Sequence, residues 1–244
     1  AVVASDALGS ALVRTGGDLD AWVSDAFAAP LTAEDIDAKV LQPRIEEIKR
    51  KRRSAIFTFH AFQTAAGQLG SRALLLSGCG TGKTLAAWLW IRAQIARRPA
   101  SRVLFLYPTR GTATEGFRDY ASWAGSEAAL IHGTARYVIE GLFTNPDDQR
   151  RADDYAVDPR LFALGYWPRR VVSATVDSFL GFMSNAYGPI CMLPMLVDSV
   201  VVIDEVHSFD ALMFRALVRF LEFFDCPVLC MTASLTEDRI AALR

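Results

Sequence analysis

Histidine and cysteine are scarce in this 244-residue chain, which carries three of the first (His60, His132, His207) and four of the second (Cys79, Cys191, Cys226, Cys230). The cysteines show neither the paired spacing of metal ligands nor the framework of a small disulfide-stapled scaffold, so they read as reduced thiols of a cytosolic protein. No apolar run reaches membrane-spanning length, because Arg92 interrupts the run from Leu85 and Pro194 with Asp198 interrupts the one before Val200. A secretory leader is not expected, since Asp6 falls inside the only apolar candidate near the N-terminus. Charge of one sign is lacking too. With a formal net charge of -1 the surface as a whole offers a polyanion no long-range attraction, and any reading that involves nucleic acid must rest on motifs. The chain starts at Ala1 rather than Met and stops at Arg244 within helix-like sequence, as expected of a piece of a longer protein.

What is present describes an ordered globular chain, 52% hydrophobic and 22% charged, of a length that suits one large domain better than two. Residues 1–55 are alanine-rich with helical periodicity and carry no motif. Their basic run from Lys49 to Arg53 follows Glu46 and Glu47 and reads as a solvated helix face. From Arg72 onward the pattern changes to short apolar runs separated by longer helical stretches, and residues 56–244 are read as one domain. Strands are predicted at Ala73 to Leu76, Val103 to Tyr107, Ala128 to His132, Val171 to Ala174, Ser199 to Ile203 and Val228 to Met231. This alternation predicts an α/β fold, a mainly parallel sheet flanked by helices. Special residues follow the strands, which puts them on the one rim where open parallel sheets bind ligands. The stretch 134–170 exceeds a simple crossover and has no assigned purpose. Its Tyr166-Trp167, feeding a strand, reads as core.

The strongest local signal is Ser77-Gly78-Cys79-Gly80-Thr81-Gly82-Lys83-Thr84, between a strand and the helix Leu85 to Arg97. Glycines let backbone N–H groups curl around phosphates, and the helix N-terminus adds a favourable dipole. Lys83 would neutralise β and γ oxygens, and the Thr84 hydroxyl would ligate Mg²⁺. Ser77 stands where glycine or alanine is usual, and a small residue still fits. Phosphoryl transfer needs a second, acidic half at the end of another apolar strand. Val200 to Ile203 followed by Asp204-Glu205 supplies it, Asp204 to hold Mg²⁺ and Glu205 to orient and polarise the attacking water. ATP with Mg²⁺ is the cofactor pair this predicts, on a P-loop NTPase lobe.

Asp204-Glu205-Val206-His207 is a DEVH form of helicase motif II, and Thr232-Ala233-Ser234 resembles motif III. Phe62-Gln63 is similar to a Q motif, Tyr107-Pro108-Thr109-Arg110 to motif Ia, and Thr175-Val176-Asp177 to motif Ic, all in helicase order. Over Phe57 to Leu235 the chain resembles the first RecA-like lobe of a superfamily 2 helicase, and in particular the CRISPR-associated helicase-nuclease of type I interference systems. That resemblance implies that Gln63 reads adenine and that His207 links the nucleotide site to Thr232 and Ser234. Pro108, Thr109, Arg110, Thr175 and Asp177 would lie along the DNA track, with Ser178 departing from the glutamine expected there. It also implies a prokaryotic, cytoplasmic parent, a 3′ to 5′ single-stranded DNA translocase that acts after a CRISPR surveillance complex has opened the duplex. The parent's second RecA-like lobe and nuclease domain are expected outside this chain, whose three histidines form no closely paired His-Asp set. Two other readings stay open: a superfamily 2 motor for RNA or duplex DNA, and a non-hydrolysing adaptor. Intact Lys83, Asp204 and Glu205 weigh against the adaptor, because a scaffold has no need of all three.

Overall fold

The computed structural model describes residues 9, 18–27, 29–78, 80–119, 128–131, 167–184 and 193–243. Expectations placed on Cys79, His132, Cys191 and residues 134–166 lie outside those. Helices α1 (Leu19–Ala26), α2 (Ala33–Ile36) and α3 (Gln42–Arg52) come first, α2 running into α3 through a wider π turn at Asp37–Leu41. Next are α4 (Ala61–Ala66), β1 (Arg72–Leu76), α5 (Lys83–Arg97), β2 (Arg102–Tyr107), α6 (Arg110–Asp119) and β3 (Ala128–Ile131). β4 (Val171–Thr175), α7 (Val176–Leu180), β5 (Ser199–Ile203), α8 (Ala211–Phe223), β6 (Val228–Thr232) and α9 (Glu237–Ala242) follow.

The strands form one six-stranded sheet in the order β1-β6-β5-β2-β4-β3, every neighbouring pair parallel. Continuous apolar runs explain this, for β2 and β5 are buried along their whole length and parallel strands are covered on both faces. Alternate residues serve opposite faces. Leu104 and Leu106 pack with Phe179, Leu217 and Phe220 of α7 and α8, whereas Val103 and Phe105 pack with Trp88 and Ile91 of α5. Trp167 is buried in the first of these cores, against Trp22 and Phe27, in accord with its reading as core, whereas Tyr166 lies outside the described residues.

Of the N-terminal helices, α1 packs in the first core through Ala26 and Trp22, whereas α2 and the π turn join the second through Ile36, Val40 and Leu41. They are also tied polarly, by the Leu31 N–H donating to the Ala100 carbonyl at 2.8 Å and by Arg92 on Asp37 at 2.7 Å. On α3 Lys49 pairs with Glu46 and Lys51 with Glu47, each pair with one exposed and one partly exposed member, and Arg50, Arg52 and Arg53 are exposed, in keeping with the solvated face expected there.

Cys226 and Cys230 are free, buried thiols. Burial pushes Cys230 from the ordinary 9.0 up to about 12 and raises Cys226 in the same direction. A thiol held neutral in the fold keeps its full contribution to stability below the unfolded value of 9.0 and loses it as pH rises from there towards about 12. Brief alkylation at neutral pH followed by peptide mapping is expected to leave Cys230 unlabelled; rapid labelling of the folded chain would contradict this burial.

Candidate functional site

All six strands run the same way, so their carboxyl ends form one rim, and the register sets the depth of each. Leu76 of β1 pairs with Thr232 of β6, and Tyr107 of β2 with Thr175 of β4. β6 lies between β1 and β5, which puts Thr232 between the loop after β1 and the acidic pair after β5.

The loop after β1 is anchored by the Ser77 N–H, which donates to the Thr232 carbonyl at 3.0 Å, and by the Thr81 hydroxyl, which donates to the Gly78 carbonyl at 2.9 Å. Gly80 and Gly82 have φ of 73° and 90°, a left-handed backbone that glycine adopts without steric cost. Gly82 then caps α5, so the helix begins at Lys83, two residues before the position read from hydrophobic periodicity.

Lys83 is 7% exposed and Asp204 6% exposed, and the fold brings them together. The Lys83 ammonium lies 3.2 Å from Glu205 Oε1, 122 residues on in the sequence, and 3.7 Å from Asp204 Oδ1. A buried ammonium needs such partners, since an unpaired buried charge is strongly destabilising. Glu205 has a left-handed φ of 54°, a strained conformation for a residue with a Cβ, and the Asp204 carboxylate steadies it by accepting from the Glu205 N–H at 2.8 Å. Glu205 Oε2 is buried. It lies 3.2 Å from His207 Nδ1, a close polar contact without hydrogen-bond alignment.

His207 is tied to β6 twice, its N–H donating to Thr232 Oγ1 at 3.1 Å and its Nδ1 lying 3.0 Å from the same oxygen. The Thr232 hydroxyl donates to the Ser234 carbonyl at 2.9 Å. One buried threonine thus touches the segments of both expected helicase motifs. Ser234 joins through its backbone, and its side chain is exposed.

Two clefts meet at Gly80, Gly82 and Thr84. The phosphate-side cleft, of about 350 Å³, adds Lys83, Asp204 and Glu205, together with Tyr107, Thr112, Glu115 and Gly116. The other, of about 150 Å³, is walled by Arg44, Arg52, Phe57 and Gln63. The sequence reading missed Thr112, Glu115 and Gly116, whose signal is a shared helix face at three- and four-residue spacing rather than a motif. A side chain at 116 would meet the Tyr107 ring, so glycine lets α6 close on β2. The donor set fits a magnesium nucleotide, because Mg²⁺ takes one or two carboxylates plus substrate phosphates. Among the described residues no cluster of three or more acidic, histidine or cysteine side chains could hold a metal alone.

Of the residues expected along a nucleic-acid track, Thr109, Arg110 and Asp177 are exposed on the rim and Pro108 is half-buried. Thr175 is 5% exposed and spends its hydroxyl on capping α7, accepting from the Ser178 N–H at 3.3 Å and donating to the Ser178 hydroxyl at 2.7 Å. Gln63 is also buried, with both ends of its amide engaged by the protein.

Residues 60–243 match the DEAD/DEAH box helicases, and the chain belongs to that family, whose members bind ATP. Within it, the chain is 39% identical over 245 residues to a CRISPR-associated nuclease/helicase Cas3 of Myxococcus xanthus, a match that takes in all of this chain and 31% of that protein. Its fold is that of the helicase lobe in crystal structures of T. fusca Cas3. The AMPPNP form has a TM-score of 0.58 at 20% identity, covering 90% of this chain and 25% of that one. The ATP form has 0.57 at 21% identity, covering 91% and 25%. Among the described residues no helix is long and apolar enough to cross a membrane.

Proposed function

We propose that this chain is the ATP-binding lobe of a cytoplasmic, prokaryotic motor that moves 3′ to 5′ along single-stranded DNA and is coupled, in its parent, to a metal-dependent nuclease of type I CRISPR interference. The chain spans about a third of the Cas3 relative described above, so the DNA substrate, the surveillance complex, the second RecA-like lobe and the nuclease domain belong to this proposal. Residues 56–244 are taken as the RecA-like lobe and residues 1–55 as a helical segment that buttresses it.

The observation that carries the reading is the buried contact of Lys83 with Asp204 and Glu205. A lysine held by two carboxylates can exchange them for phosphate oxygens when a triphosphate enters the loop, and that exchange frees Glu205 to accept a hydrogen bond from the attacking water. Thr84 and Asp204 would hold magnesium, which when bound neutralises charge on the phosphates. Gly78, Gly80, Thr81 and Gly82, with Cys79 beside them, would turn backbone N–H groups to the same oxygens. The strained backbone at Glu205 keeps its carboxylate at the rim rather than continuing the strand.

Coupling follows from Thr232. Its carbonyl holds the phosphate loop at Ser77 and its hydroxyl holds His207 and the Ser234 backbone, so a change at the nucleotide reaches the end of β6 directly. Thr109, Arg110 and Asp177, exposed on the same rim, are the positions suited to touch a strand. Pro108 and Thr175 would shape the backbone beneath them.

Titration with a fluorescent ATP analogue tests the site. Lys83→Ala is expected to weaken binding about tenfold to a hundredfold, the value of one or two charge-assisted hydrogen bonds. Glu205→Gln should retain binding while hydrolysis in the intact motor stops. Equal loss of binding in both variants would show that Glu205 has been assigned the wrong role.

A further inference from the structure

We infer that helix α3 is part of the nucleotide site, and that its Arg52 and Arg44 supply the positive charge that draws in a magnesium triphosphate. This rests on the nucleotide site proposed above and gives residues 1–55 a second task beside buttressing the lobe. The match to the helicase family starts at residue 60, after α3 has ended at Arg52. Arg44, Ile48 and Arg52 recur every four residues, so they share one face of α3, and that face walls the smaller cleft beside the phosphate loop. Ile48, between the arginines, packs on the second core with Phe57 and Phe62. The π turn before α3 buries Val40 and Leu41, and its Asp37 grips Arg92 of α5 at 2.7 Å. α5 begins with Lys83, so the arginine face is held at a fixed place relative to the phosphate-binding lysine.

The two clefts differ in the sign of their charge. On the phosphate side Lys83 stands with Glu115, Asp204 and Glu205, one cation against three carboxylates. On the α3 side the described lining carries Arg44 and Arg52 and no carboxylate. The clefts share Gly80, Gly82 and Thr84, the turn around which the phosphates would lie. A triphosphate with one magnesium ion is still an anion, so the field that favours it at this turn comes from α3 and not from the acidic pair. Arg52 is the stronger of the two sources. It is exposed and has no acidic partner among the described residues, whereas Glu47 holds Arg44 at 2.5 Å. What α3 contributes is charge acting through the shared turn, which any cation at position 52 can provide.

The test measures affinities of the 244-residue chain for ATP and for inorganic tripolyphosphate, each with Mg²⁺, in the wild type, Arg52→Gln, Arg52→Lys and Glu47→Gln. Glutamine and lysine suit a helix about as well as arginine, and position 52 is exposed, so the fold is not at stake there. At about 0.01 M salt Arg52→Gln is expected to weaken both ligands by one common factor of about threefold to tenfold. At about 1 M salt, where screening acts beyond about 3 Å, that factor should fall to about one. Arg52→Lys should bind as the wild type does. Glu47→Gln, which frees Arg44, should bind both ligands about twofold to fivefold more tightly at low salt, a gain that a damaged fold cannot produce. A loss confined to ATP would overturn the inference, as would a loss that persists at high salt, Arg52→Lys as weak as Arg52→Gln, or no gain in Glu47→Gln. Lys83→Ala is the control that separates the two levels. If the wild type binds no tripolyphosphate, or Lys83→Ala binds it as well as the wild type, the proposed nucleotide site fails and this inference with it. With that control intact, unchanged affinity in Arg52→Gln defeats the role of α3 alone.

Discussion

The 244-residue chain alone is expected to bind ATP weakly, only with Mg²⁺, and to release phosphate about 10³ to 10⁵ more slowly than a motor whose site carries an added arginine. Among the described residues lining the phosphate-side cleft, Lys83 is the one cation; it pairs with Asp204 and Glu205, and Glu115 adds a third carboxylate to the lining. A triphosphate approaching that lining meets more negative charge than positive until magnesium offsets it. As the γ-phosphoryl group leaves, charge spreads over its oxygens, and no side-chain cation in this lining but Lys83 is placed to stabilise it, the rest falling to loop N–H groups and magnesium. Water also reaches the open side of the cleft and screens what field there is. Single-stranded DNA should change little, because Thr109 and Arg110 give a short rim and the net charge of -1 adds no attraction. Phosphate release measured over a protein concentration series, with and without DNA, decides the matter. Brisk DNA-stimulated turnover that scales linearly with concentration would mean that these residues hold a complete catalytic site.

Arg102→Leu should cost about 3 to 5 kcal/mol of folding stability, in the range for breaking a buried, hydrogen-bonded ion pair. Arg102 opens the internal strand β2 and is 3% exposed, at the amino-terminal ends of the strands, opposite the rim that carries Lys83 and Asp204. Its guanidinium donates to the Trp167 carbonyl at 2.9 and 3.1 Å, to Asp198 Oδ1 at 2.9 Å and to the Ala26 carbonyl, so one side chain joins α1, the turn leading to β4 and the turn before β5. Asp198 is partly solvated, so its lost Coulomb attraction is screened, and most of the cost is the two carbonyls left without donors. Burial lowers the guanidinium's affinity for its proton and Asp198 restores part of it, but an arginine remains charged at any pH the fold survives. Urea unfolding compared at equal m-value reads the change. A loss below about 1 kcal/mol would mean that the substituted edge repacks and that the arginine does not staple the segments together. ATP binding by the folded fraction should persist, since the rim lies at the far end of the strands.

Much of the architecture was legible beforehand, and particular residues show why. The runs Val103 to Tyr107 and Val200 to Ile203 are too apolar for anything but the interior of a parallel sheet, and each observed strand lies within one residue of its predicted position. Lys83, Asp204 and Glu205 were legible because each is a chemically costly residue at the end of such a run. Thr175 was legible as a motif position but not as a helix cap, since a threonine after a strand reads alike in either role. Gln63 was picked out by the aromatic residue before it, while the direction of its amide depends on Gly82, 19 residues away.

What the sequence determined by itself is therefore local: period, strand length, the glycine-rich turn and the acidic pair, each imposed by backbone sterics and by the exclusion of polar groups from a buried sheet. Strand order was decided only in three dimensions. Nothing in the run Val228 to Thr232 says that it inserts between β1 and β5, yet that insertion alone puts one threonine in reach of both the phosphate loop and His207. The same holds for the pairing of Arg102 with Asp198 and Trp167, and for Glu115 lining one cleft with Lys83 and Asp204, because side chains far apart in sequence meet only after both faces of the sheet have been covered and the helices have nowhere else to pack.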